Sequence, residues 1–139
     1  MDPYLFSAEW AAACQTEINS SAAYREAGAT WEGAVVFVVD KGEEPSRGVY
    51  VDLWHGECRE ARAILDGDVD RAPYVIMGDR NTWNEVLAGT LEPLGALVMG
   101  RLKLTKGSLG ALAFHIKSAR ELVGCAARVS RRRASGSSV

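Results

Sequence analysis

A chain of 139 residues with a formal net charge of −2 and 47% apolar residues has the size and composition of one folded domain. Its pI near 5.7 lacks the basic balance of a nucleic-acid binder, so no nucleic-acid partner is expected. Cys14, Cys58 and Cys125 are widely spaced and form no CxxC pair, which suits reduced, buried thiols in a reducing compartment.

From Asp2 or Pro3 to about Glu26 the spacing predicts one helix, with Phe6, Trp10, Cys14 and Ile18 stepping by four. Thr30 to Asp40 is the most strand-like run. Trp31, Gly33, Val35, Phe37 and Val39 fall on one face and Ala34, Val36 and Val38 on the other, so both faces should be covered. Residues 41–48, KGEEPSRG, read as a polar turn into a second strand that alternates Val49, Val51 and Leu53 with Tyr50, Asp52 and Trp54. Gly56 turns into a third strand reaching Leu65, and LDGDVDRAP is an acidic, turn-rich loop. Tyr74 to Met77 is a fourth strand. Asp79 and Asn81 can cap a helix carrying Trp83, Val86 and Leu87, which stops at Gly89. LEPLGALVMG is apolar with glycines at its turn points. RLKLTKG is the fifth strand, and a closing helix puts Leu109, Leu112, Ala113, Ile116, Ala119 and Val123 on one stripe.

The expected class is α+β: a five-stranded, mainly antiparallel sheet with helices packed on one face. One domain should span 1–128, followed by a disordered basic and Ser-rich tail at 129–139. MDPYLFSAEW carries an acid where a secretion signal needs basic residues, and no run of about 18 apolar residues offers a membrane span. The expected location is the cytoplasm.

Catalytic chemistry has few candidates. His55 lies beside a turn, His115 lies off the apolar stripe of the closing helix, and no metal-ligand spacing, GxSxG, P-loop or GxGxxG occurs. The acidic pairs Glu43-Glu44 and Asp68-Asp70 read as solvated turn residues. No catalytic residue, metal or cofactor is therefore expected, and the chain is read as a non-enzyme. Arg131-Arg132-Arg133 can make a transient electrostatic contact with anionic membrane headgroups, although a solubilising tail is the simpler role. What stands out is apolar surplus without polar specification, around Trp83, Val86, Leu87, Leu91, Leu94, Leu97, Val98 and Met99. It admits two readings, an ordinary close-packed core or a tunnel held open by short, glycine-punctuated helices.

From Tyr74 to Val123 the order Trp83, Val86-Leu87, Gly89, Leu91, Pro93, Ala96, Val98-Met99-Gly100, Leu102-Lys103-Leu104 and Gly107 resembles the sterol carrier protein type 2 family of non-specific lipid-transfer domains. The turn Thr105-Lys106-Gly107-Ser108 departs from the family's usual acidic residue after the glycine, and serine caps a helix equally well. The resemblance implies an elongated apolar cavity that shields or transfers a lipid, whether fatty acyl chain, acyl-CoA or sterol, without covalent chemistry. The positions that could face such a cavity are Phe37, Val39, Val51, Leu53, Met77, Trp83, Leu87, Leu94, Leu97, Met99, Leu112 and Ile116. The closing helix is the expected gate. Two other readings stay open: an accessory module presenting an apolar substrate to a partner enzyme, and a structural dimer with a filled core.

Overall fold

A strand that is apolar on both faces belongs at the centre of a sheet, and β1 (Glu32–Val39) is there. The structure, a computed structural model, describes residues 4–40 and 47–137, the last five by backbone alone. The expected start of the first helix at residue 2 or 3, the body of the KGEEPSRG turn and the Glu43-Glu44 pair lie outside the described residues. β2 (Arg47–Trp54) and β3 (Glu57–Ala63) form an antiparallel meander on one side of β1, turning at His55-Gly56, both at positive φ. On the other side β4 (Tyr74–Gly78) pairs parallel to β1 and antiparallel to β5 (Leu102–Lys106). The order is β3-β2-β1-β4-β5, a mixed and mostly antiparallel α+β sheet as expected.

The pleat divides the core in two. Val35, Phe37, Val39, Val49, Val51, Leu53, Ile76 and Leu102 meet the main helical layer. Val36, Val38 and Val75 face the opposite way and are covered by Val69 and Ala72, in and beside the one-turn helix α3 (Asp68–Arg71). That turn was expected to be a solvated loop. Instead Asp68 is buried and accepts hydrogen bonds from Arg62 at 2.7 and 3.2 Å and from the Leu65 amide at 2.7 Å. Arg62 beside it holds its carboxyl below the usual range. The third strand also stops at Ala63, short of Leu65, which is exposed.

Two expected helices are each two. The first divides into α1 (Ala8–Asn19) and α2 (Ala22–Ala27), because Ser21 accepts the Tyr24 amide at 3.0 Å and caps a new start. The last divides at His115 into α6 (Leu109–Phe114) and α7 (Ile116–Ser137). The backbone of α7 runs as helix as far as Ser137, into the segment read as a disordered tail from residue 129. Val129 is buried, Trp10 Nε1 donates to Ser130 Oγ at 3.1 Å, and Arg128 and Arg132 both pair with Glu17 of α1. The carboxylate on α1 and the indole N–H of Trp10 thus extend the closing helix past its predicted end.

Candidate functional site

Between the sheet and the helical layer the side chains leave space, and the local sequence explains how it is framed. Asp79 accepts the Thr82 amide at 2.7 Å and starts α4 (Arg80–Ala88), which ends at Gly89 with φ 83°. This short helix aims Trp83 inward. Its indole N–H donates to the Val38 carbonyl at 2.9 Å, and its ring stands edge-on to Phe37 at 5.6 Å and to Phe6 at 5.3 Å. Glu92 caps α5 (Pro93–Val98) by accepting the Gly95 amide at 2.8 Å, and its other oxygen takes Arg120 of α7 at 3.3 Å. Leu94 and Leu97, three apart, then face inward. Gly107, at φ 110°, turns the chain from β5 into α6 directly against Tyr74, where a Cβ would come within 2.3 Å of the ring.

The larger cavity has about 700 Å³ of empty space, part of it open to solvent. Its floor is Val35, Phe37, Leu53 and Ile76 of the sheet, and α4 to α7 supply the roof. A second cavity of about 450 Å³ lies beneath α1, bordered by Phe6, Trp10, Cys14 and Ile18. Phe37, Trp83, Val86, Leu122 and Val123 border both, so the two are chambers with a common partition.

Of the positions singled out from the sequence, Phe37, Leu53, Trp83, Leu94, Leu97, Leu112 and Ile116 border the larger chamber, and Val51 and Leu87 border the smaller one. Three lie elsewhere. Val39 is on the right face but fully buried in the core beyond the cavity. Met77 follows Ile76 in the pleat and so faces the opposite layer. Met99 ends the six-residue α5 and is 62% exposed. Sequence reasoning passed over Trp31, Val35, Ile76 and Leu102, whose strand parity was the available signal. It also passed over His115 and Ser118, which nothing marked. His115 was placed off the apolar stripe, yet the helix break turns its ring against Trp31 at 5.0 Å on the cavity wall.

The chemistry of the walls is almost wholly apolar. Cys14 borders the smaller chamber, and burial drives its thiol pKa upward, so it stays protonated at neutral pH. Cys58, pushed up to about 12, and Cys125 are likewise free, buried thiols. His55, the other histidine, pairs with Glu32 at 2.5 Å on the surface, away from the chambers. Among the described residues no group of three His, Cys, Asp or Glu is placed to hold a metal ion. Nor, among them, is any helix long and apolar enough to cross a membrane.

No family model matches the chain, and no curated protein does. Solved structures do. A sterol carrier protein 2 crystal structure is 45% identical, covering 88% of this chain and 97% of its own, with a TM-score of 0.82. A conserved hypothetical protein of Thermus thermophilus, described as a candidate sterol carrier protein, is 44% identical over 89% of this chain and 88% of its own, TM-score 0.80. The apo form of sterol carrier protein 2 from Yarrowia lipolytica shares the fold at 12% identity and TM-score 0.59, over 91% of this chain and 94% of its own. With identity at this level over nearly the whole length of the first two, on top of the sheet order and the Trp83-to-Gly107 pattern, the chain belongs to the sterol carrier protein 2 family.

Proposed function

We propose that this protein binds one lipid chain non-covalently in the larger chamber and shields it from water for transfer or presentation. The observation that carries this reading is the chamber itself: about 700 Å³ roofed by short helices and walled by Val35, Phe37, Leu53, Ile76, Leu97 and Leu122. Each methylene of a ligand buried against these walls returns roughly 0.8 kcal/mol. Affinity then needs no covalent step, and walls this uniform discriminate little between chains differing by one methylene. The sterol carrier relatives support a lipid as the ligand. Loading from a membrane fits the exposed Val98, Met99 and Phe114, carried by the two short helices that border the chamber.

The test is to fill the chamber. Ala119 borders it and is only half-buried, so Ala119→Trp adds an indole where the ligand would lie with little strain on α7. The expected result is a folded variant whose melting temperature no longer rises with fatty acid, while the wild type gains several degrees. Equal gains for both would refute the chamber as the lipid site.

A further inference from the structure

Phe114 is 84% exposed, Val98 72% and Met99 62%, and Leu109 is exposed as well. Singly such residues need no explanation, but these belong to the two short helices, α5 and α6, that help roof the larger chamber. α6 reads LGALAF and has no polar side chain, so its outer face offers Leu109, Ala113 and Phe114 to whatever meets it. The charges of the same segment are one-sided. From Pro93 to Arg120 there are five cations, Arg101, Lys103, Lys106, Lys117 and Arg120, and no acid, although the whole chain has 18 acids against 16 cations. Arg101 is paired with Glu85 and Arg120 with Glu92. Lys103 and Lys117 are exposed and have no carboxylate partner among the described residues. Lys106 donates to the Asp70 carbonyl, which leaves its charge uncompensated. β5 is an edge strand; α5 packs on it and α6 follows it through the Gly107 turn, so the apolar tips and the lysines share one side of the molecule. The other edge is different in character. There α1 packs on β3, and α1 with α2 carries Glu9, Glu17 and Glu26 against Arg25 alone.

We infer that the β5 edge, with the tip of α5 and the outer face of α6, is a docking surface for an anionic lipid bilayer. The inference goes beyond the lipid-binding reading and does not depend on what the chamber holds. Val98, Met99 and Phe114 enter the interfacial layer, and Lys103, Lys106 and Lys117 stay at headgroup depth, where an ammonium on a flexible stem reaches phosphate oxygens. A bilayer fits this surface better than a protein does. Lysine is depleted in protein interfaces and arginine enriched, yet here the unpaired cations are lysines and both arginines are taken. Apolar tips on two separate helices also suit a fluid layer that closes around each, whereas a protein would need a matching pocket for both. Docking through α1 would instead turn Glu9 and Glu26 toward the anionic charge, and Arg132 of the terminal basic run is already held by Glu17. Leu94, Leu97 and Leu112, on the same two helices, border the chamber, so docking brings part of its roof against the bilayer.

The experiment sediments the full chain with vesicles of phosphatidylcholine alone, or of phosphatidylcholine with about one third phosphatidylglycerol. The wild type should partition at least about 10-fold more strongly onto the anionic vesicles at low salt, and the preference should shrink as salt is raised. Phe114→Ser should weaken that partition by about 10-fold or more, since it removes the ring that inserts. Lys103→Gln combined with Lys117→Gln should weaken it by about 10-fold or more while leaving partition onto phosphatidylcholine unchanged. Leu65→Ser, at an exposed leucine beyond β3, should partition as the wild type does. Every substituted side chain is exposed, so the variants fold. Displacement of a fluorescent fatty acid in solution should be the same for all of them, which separates loss of docking from loss of chamber binding. A wild type that docks but takes up no fatty acid would sink the lipid-binding reading and leave this one standing. A wild type that sediments equally with both vesicles, or with neither, overturns the inference, and the second result gives the exposed side chains to a protein partner. Undiminished partition of Phe114→Ser, or an equal loss in Leu65→Ser, overturns it too.

Discussion

Asp68 illustrates how much one side chain can carry without touching the cavity. It joins β3 to the α3 turn through Arg62 and the Leu65 amide, and Arg62 in turn covers the Tyr50 ring at 4.3 Å. Asp68→Ala should therefore lower stability in urea melts by about 2–3 kcal/mol, because it strands a partly buried guanidinium and an amide. Lipid affinity should be unchanged, since none of these groups borders either chamber. At this scale the sequence was legible wherever a period decided the matter. Strand parity put Phe37 and Leu53 over the cavity, and the same parity, read strictly, would have replaced Met77 by Ile76. Methionine suits an adaptable wall, but that chemical preference does not outweigh the pleat. His115 and Ser118 were hidden because Phe114-His115-Ile116 contains neither glycine nor proline to mark a helix break. Asp68 was hidden because an acidic, glycine-bearing loop looks the same in sequence whether or not an arginine from the preceding strand reaches it.

Among the elements, α7 does most to close the molecule. It packs along α1, α2 and α4 and roofs both chambers. Its far end is clasped to α1 by Arg128 on Glu17 at 2.8 Å, by Arg132 on the same carboxylate, and by the Trp10–Ser130 hydrogen bond. Helical periodicity found this helix, but its extent depended on partners from the other end of the chain, which no local window contains. The clasp should be sensitive to acid. Arg128 and then Arg132 hold the Glu17 carboxyl below its ordinary 4.5, so the stability it adds is complete above about pH 4.5 and is lost as pH falls through the lowered folded value. Protection against hydrogen exchange over residues 125–132, corrected for the intrinsic pH dependence of exchange, should fall in the wild type as the pH drops below about 4.5, and Glu17→Gln should show the lowered protection already at neutral pH. Unchanged exchange in that variant would mean that apolar packing alone holds the helix.

For the whole molecule, sheet and helices share out the burial unequally. The α3 face is filled by small, close-packed valines and an alanine. On the other face, short helices punctuated at Gly89 and Gly100 span the sheet without filling it. The α+β class, five strands and element order were legible because each strand carries its own period-two signal and each turn its own glycine. The parallel pairing of β1 with β4 was not legible, since strand order depends on which edges the connections leave free. Whether the apolar surplus packs or parts was equally beyond the sequence, because the same leucines and tryptophans serve a core and a cavity wall. Native mass spectrometry of the purified full chain, with organic extraction of whatever accompanies it, tests the central claim most directly. One lipid per chain is predicted, as is a protein emptied of lipid that regains thermal stability on adding hexadecanoic acid, by about 2.7 kcal/mol at a concentration 100 times the dissociation constant. A bare protein mass, with no gain in melting temperature from fatty acid, fatty alcohol or sterol, would contradict the account and return the chamber to an unfilled flaw in an ordinary core.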